Sequence, residues 1–132
     1  MRKTTVLVGA LAITIATATP IAIQKEIEKE QKKATLLQKK QNKELAMKVA
    51  WTGYGWKGKD WECLDKIFTK ESRYDHLAKN QQGSSAFGIG QRIGEDSKEP
   101  LFQILTIYKY IEHKYKGKPC LAWRHHQLWD WY

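Results

Sequence analysis

Apolar residues recur at helical spacing in some stretches of this chain and lose all period in others. From Gln24 to Val49 the residues are mostly Lys, Glu, Gln and Ala, with no Gly or Pro, so intrinsic propensity favours helix throughout. Its apolar positions, Ile27, Ala34, Leu36, Leu37, Leu45, Met47 and Val49, make a broken stripe too sparse for a coiled-coil seam. The segment therefore predicts a charged, solvated helical spacer of about 40 Å at 1.5 Å per residue, with a partner-binding helix as the alternative. Gly53, Gly55 and Gly58 then interrupt the helical composition and place a domain boundary near Trp51. Asp60 is the expected N-cap of the next helix, whose buried face is set by Trp61, Leu64, Ile67 and Phe68 at three- and four-residue spacings.

Lys79 to Gly94 is rich in Gly and small polar residues and reads as loop, with a short turn at Phe87–Gln91 and no strong strand pattern. Pro100 stands at a favoured first helical position, and Leu101, Ile104, Leu105, Tyr108, Ile111 and Tyr115 follow on one stripe until Gly117 ends it. Pro119 opens a last short helix carrying Leu121, Ala122, Trp123 and Leu128, before the aromatic stretch Trp129-Asp130-Trp131-Tyr132. The fold class is mainly α.

Composition sharpens this. Both Cys, all four His and most of the fifteen aromatic residues lie after residue 60, so the core is expected within residues 51–132. The net charge of +9 is uneven: residues 1–50 hold ten Lys or Arg against four Glu (+6), and residues 51–132 hold thirteen against ten acids (+3). A basic tail suits anionic wall polymers, lipid head groups or nucleic acid alike. The remainder carries no nucleic-acid-binding module, and no nucleic-acid partner is expected.

Residues 1–20 read as an export signal: Arg2 and Lys3, an apolar stretch from Val6 to Ala18, and Ala16-Thr17-Ala18 in the A-x-A arrangement. An uncleaved anchor is the alternative, because the eighteen residues from Val6 to Ile23 carry no charge, against about 20 needed to span a bilayer. Either way residues 21–50 and 51–132 are expected outside the cytoplasm, and contact with membrane is confined to the N-terminal segment. Two cysteines in an exported chain favour a Cys63–Cys120 disulfide, with two separate buried thiols as the alternative.

Glu71 follows Phe68 by three residues, Ile67 by four and Leu64 by seven, so helical geometry puts its carboxyl on the apolar face. Desolvation there raises a Glu pKa, and a carboxyl that keeps its proton near neutrality suits general acid catalysis at a glycosidic oxygen. A helix-end Glu paired with Lys70 or Arg73 is the plainer reading of the residue taken alone.

Its surroundings add to it. The run from Trp61 through Glu71-Ser72-Arg73-Tyr74, followed by Ala78-Lys79-Asn80 and by Gly83-Ser84-Ser85-Ala86-Phe87-Gly88-Ile89-Gly90-Gln91, resembles the lytic transglycosylase family, which has a lysozyme-like fold. The match is closest to short versions in phage tail proteins and exported actinobacterial wall proteins. It rests on a Glu-Ser pair closing a helix and, about seventeen residues later, an aromatic-Gly-aliphatic-x-Gln motif; Pro119-Cys120-Leu121-Ala122-Trp123 and Trp131-Tyr132 keep the same order. The resemblance covers residues 51–132. It implies an enzyme that cleaves the bond between N-acetylmuramic acid and N-acetylglucosamine in peptidoglycan glycan strands, without a cofactor, to give 1,6-anhydro products. Glu71 would be its one acid and base, Ser72 would hold the helix end, and Gln91 would line the sugar groove. Tyr74, Phe87, Gly88 and Trp123 would lie beside the sugar, with a place in the core as the alternative for Trp123. Two positions depart from the pattern: Ser85 where many relatives have Gly, and Trp123 where larger members place a substrate-facing Tyr.

Competing readings are a lysozyme-type hydrolase, with Asp75 as second carboxylate, and a non-catalytic wall-binding or aggregation-promoting surface protein. His125 and His126 beside Cys120 lack metal-ligand spacing, so no metal is expected. The expected location is the cell wall or extracellular space, with an outward-facing membrane anchor or a phage virion as alternatives.

Overall fold

The computed structural model describes residues 19–132, so the export-signal reading of residues 1–20 lies almost wholly outside the described residues. Among those described, no helix is long and apolar enough to cross a membrane. The elements are four helices, α1 (Pro20–Val49), α2 (Lys59–Glu71), α3 (Pro100–Lys114) and α4 (Pro119–Trp129), and two short strands, β1 (Ala86–Phe87) and β2 (Arg92–Ile93). The mainly α expectation is met.

The chain divides into two units, Met1–Lys33 and Ala34–Tyr132. In the first, the described part of α1 is solvated, with local contacts such as Lys29 to Glu26 at 3.9 Å. In the second, the end of α1 is core. Ala46 and Ala50 are fully buried, as is Asn42, whose Nδ2 donates to Tyr74 O at 2.9 Å. Lys43 pairs with Asp65 at 3.3 Å, and the buried Tyr108 hydroxyl donates to Ala46 O at 2.7 Å. The boundary expected at Trp51 and the spacer expected up to residue 50 are thus corrected: the compact unit begins inside α1. The small side chains of Ala46 and Ala50 let α1 approach Tyr108 closely.

Past Val49 the helix widens into a single π turn, Ala50–Tyr54, closed by Gly55 at φ 68°. Trp56 N–H donates back to Ala50 O at 2.9 Å, and its indole Nε1 donates to Gly117 O at 3.0 Å. That turn brings Tyr54 and Trp56 onto Tyr108, with ring centroids 5.4 Å and 5.2 Å away, and Phe68 of α2 stacks on it at 6.0 Å. Tyr108 is therefore the aromatic centre of the core.

The face expected for α2 is observed, with Leu64, Ile67 and Phe68 fully buried and Trp61 half-buried. Its N-cap is Gly58 rather than Asp60; Asp60 sits in the first turn, where a carboxylate meets the helix dipole favourably. On α3 the buried stripe is rotated from expectation. Leu101 and Leu105 are exposed, whereas Gln103 and Ile107 are buried with Ile104, Tyr108 and Ile111. Hydrophobicity alone misplaced the face because Gln103 is buried for its hydrogen bonds: its Oε1 accepts Ile89 N–H at 2.9 Å, and its Nε2 donates to His76 O at 3.0 Å and to Ser97 O at 2.7 Å. One side chain thus anchors the long connection between α2 and α3. Within that connection β1 and β2 pair antiparallel, Ala86 with Ile93 and Phe87 with Arg92, where only a turn was expected.

Cys63 and Cys120 form a disulfide, Cα–Cα 5.1 Å, joining α2 to α4 across 57 residues. Closing a loop of that size is worth about 4 kcal/mol in the chain-entropy account.

Because the buried Asn42, Ala46 and Ala50 belong to the same core as α2 and α3, a chain starting at Ala34 should show a cooperative thermal transition by circular dichroism. A chain starting at Trp51 should melt without one.

Candidate functional site

Residue Glu71 ends α2 and Ser72 caps it, with Ser72 N–H donating to Phe68 O and its Oγ donating to Ile89 O at 2.6 Å. This hydrogen bond ties the end of α2 to the turn between the strands, the holding role expected of Ser72. The Glu71 carboxyl faces α4, where Nε2 of His126 lies 2.8 Å from its Oε1. Both side chains are mostly enclosed, with 16% of Glu71 and 6% of His126 accessible. Two rings lie near the imidazole and close to parallel with it, Trp123 at 5.7 Å and Tyr132 at 6.3 Å, each inclined by 24°.

Two cavities meet at Glu71. One, of about 400 Å³, has a wall of Gly90, Ile107, Tyr110 and Tyr132. The other, of about 620 Å³, is walled by Asn80, Gln81, Gln82 and Ser84, with Lys70 and Asp130 at its edges. Glu71, Gln91, Ile93 and Trp131 belong to both. The carboxyl thus sits where an amide-rich basin joins an aromatic and aliphatic one.

The shared walls are rigid for specific reasons. Gln91 adopts a left-handed backbone, φ 48°, uncommon for a residue with a Cβ. Its Nε2 donates to Ala78 O at 3.0 Å and Gly88 O at 2.9 Å, which holds it there. Trp131 is half exposed yet braced, with Lys114 Nζ 4.3 Å from its ring centroid and His125 edge-on at 4.2 Å. Tyr132 donates its hydroxyl to Gly90 O at 2.9 Å, linking the chain's last described residue to the turn. A Cβ at Gly90 would collide with Ile107 and with that hydroxyl.

Of the residues expected at the site, Glu71 and Gln91 line the cavities and Ser72 supports them. Tyr74 does not: it is buried, packs on Phe68 at 5.6 Å and donates to Asp65 Oδ1 at 2.6 Å, so its expected place beside a ligand is corrected to one in the core. Gly88 is also buried, at φ 81°, where any Cβ would meet the Gln103 amide at 2.5 Å; its lack of side chain serves packing. Phe87 is half-buried in β1 and Trp123 half-buried against His126, and neither lines the cavities around Glu71. Asp75 lies apart from Glu71, its Oδ2 4.0 Å from Lys39 and its Oδ1 accepting Leu77 N–H at 2.9 Å. The carboxylate sharing a cavity with Glu71 is Asp130.

Sequence reasoning missed His126, Asp130, Tyr110, Ile93 and the cavity-lining role of Trp131 and Tyr132. For His126 a signal existed: it follows Ala122 by four residues, which places it on the buried face of α4, the same kind of anomaly that singled out Glu71. No cluster of His, Cys, Asp or Glu able to hold a metal occurs among the described residues.

Desolvation is the largest influence on Glu71 and raises its pKa above the ordinary 4.5; the His126 hydrogen bond and charge lower it in part, and Asp130 raises it again. Compared with protein-family models, with curated proteins and with solved structures, the chain finds no match.

A carboxyl whose folded pKa exceeds its unfolded one keeps its stabilising contribution below the unfolded value and loses it as pH rises through the folded one. Stability should therefore fall as pH climbs from about 4.5 into that raised range. Glu71→Gln, which keeps a hydrogen-bonding group toward His126 but never ionises, should melt higher than wild type at pH 7. In thermal scans that difference should shrink toward pH 4.

Proposed function

We propose that residues 34–132 form a lysozyme-like domain that acts as a peptidoglycan lytic transglycosylase, with Glu71 as its single acid and base. The observation that carries this reading is the place of Glu71: a desolvated carboxyl, inclined to keep its proton, at the junction of two cavities. A glycan strand laid along them would put a glycosidic oxygen beside that proton. The amide-rich basin of Asn80, Gln81 and Gln82 suits the acetamido and hydroxyl groups of amino sugars, and the braced face of Trp131 suits stacking on a sugar ring. Gln91, its Nε2 committed to the turn, offers a sugar its carbonyl oxygen.

In this mechanism Glu71 gives its proton to the glycosidic oxygen as the bond from the muramoyl anomeric carbon breaks, and the leaving sugar departs with the bonding pair. The Glu71 carboxylate then takes the proton of the muramoyl 6-hydroxyl as that oxygen closes onto the anomeric carbon. Glu71 ends protonated, a 1,6-anhydro ring is formed, and no water is consumed. The Cys63–Cys120 disulfide supports action in an oxidising compartment such as the cell wall. The basic excess of residues 1–50 supports attraction to anionic wall polymers.

One observation favours a hydrolase as the second reading: Asp130 shares a cavity with Glu71 and supplies a second carboxylate.

Digestion of purified peptidoglycan, with mass spectrometry of the soluble fragments, tests these readings. Fragments should carry 1,6-anhydromuramic ends, and Glu71→Gln should lower their release by about 10²-fold or more while binding to insoluble walls persists. Reducing ends, with activity lost at Asp130→Asn, would establish the hydrolase. Equal release by wild type and Glu71→Gln would reject catalysis by Glu71 altogether.

A further inference from the structure

The imidazole of His126 is used by nothing in the mechanism above, yet it is buried and in direct contact with Glu71. A carboxyl oxygen and a ring nitrogen 2.8 Å apart must share a proton, whichever of them carries it. The ring has little freedom to turn: it is buried, Trp123 and Tyr132 lie close to parallel with it, and it projects from the buried face of α4. Glu71 has long side-chain torsions that a desolvated pocket does not by itself fix. Its Oε1 is fixed by His126, which leaves Oε2 as the oxygen free to address a ligand in the groove.

We propose that His126 is a positioning residue for Glu71: through Nε2 it holds Oε1 in one orientation, so that proton exchange with the substrate runs through Oε2. This rests on the reading of Glu71 as the acid and base. The proton between Oε1 and Nε2 keeps that oxygen occupied in both halves of the reaction. The donated and recovered proton therefore passes at one place relative to the bound sugar. Other charged or titratable groups face the pair from each neighbouring element: Lys70 on α2, Arg92 on β2, Tyr110 on α3, Asp130 at the end of α4, and Tyr132 beyond it. None of the five hydrogen-bonds Oε1; that contact belongs to His126.

The test uses the full chain with its disulfide intact. His126→Phe keeps a flat ring beside Trp123 and Tyr132 but has no nitrogen, whereas His126→Gln can return an amide group to the place of Nε2. Loss of positioning should lower kcat for wall cleavage by about 10²-fold in His126→Phe, the scale of a misplaced catalytic group. KM should change little, and His126→Gln should recover much of kcat. Because the hydrogen bond lowers the pKa of Glu71, its loss should move the alkaline limb of the pH–rate profile of His126→Phe to higher pH. The carboxyl carbon of Glu71, followed by NMR and assigned with Glu71→Gln, should titrate higher in the same variant. Cleavage within twofold of wild type in folded His126→Phe, or equal losses in both variants with the limb unmoved, would overturn the proposal. In wild type, ring-nitrogen resonances of His126 should report the Glu71 titration step; ring nitrogens blind to that step would overturn it without any variant. If Glu71→Gln cleaves as well as wild type, the catalytic reading fails, and the NMR coupling still shows whether the pair exists.

Discussion

Helices α2 and α4 are held side by side at two points, and most of the site follows from that constraint. Cys63 and Cys120 join them covalently; Glu71 and His126 meet farther along at 2.8 Å. The two contacts are eight residues apart on α2 and six on α4, about 12 Å and about 9 Å of helix rise, in the same sense along both helices. A pair of helices pinned this way has little freedom to slide or rotate. Everything between them in sequence, the turn with its two strands and α3, has to close a circuit from the end of α2 back to the start of α4. The groove lies where that circuit passes Glu71.

Holding a carboxyl in such a place opposes stability, and the core has to outweigh it. Burial of Leu64, Ile67, Phe68, Ile104, Ile107 and Ile111 does most of this, at about 1.5 to 3 kcal/mol for each fully buried large apolar side chain. Tyr108 contributes twice, through its ring contacts with Tyr54, Trp56 and Phe68 and through the bond from its hydroxyl to Ala46 O. That second contact, with those of Asn42 and Lys43, holds the end of α1 in the fold. The connection between α2 and α3 has few apolar residues to bury and is fixed instead by Gln103, Ser72 and Gln91, each hydrogen-bonded to backbone.

Local signals made the helices readable. Pro100 and Pro119 begin α3 and α4 as expected, the period of Leu64, Ile67 and Phe68 gives the buried face of α2, and Glu71 stood out as a carboxyl on that face. The Cys63–Cys120 link followed from the count of two. What escaped was of two physical kinds. One was polar burial: Gln103 and Asn42 are in the core because their amides satisfy backbone groups far away, and hydrophobic periodicity is blind to that. The other was long-range pairing. His126 lies 55 residues from Glu71, and no spacing rule connects them until the disulfide and the packing of α2 on α4 are known. Tyr74 went the opposite way: a residue next to the site in sequence turns inward, because Arg73 and Tyr74 both take left-handed backbone at φ 52° and 63° and swing the chain under α2.

The polar pair at one end of the helix contact means that this seam is not simply apolar. Replacing one partner of a buried pair strands the other, whereas replacing both by well-packed apolar groups is often neutral or stabilising. An apolar seam would therefore hold α2 and α4 together at least as well, and the disulfide already fixes their spacing at the other end. Stability gives no reason for Glu71 and His126 to stand there, and the ionised carboxyl opposes it. Under the proposed reading the arrangement has a chemical use: a proton-bearing group hydrogen-bonded to a buried ring and bordering two cavities.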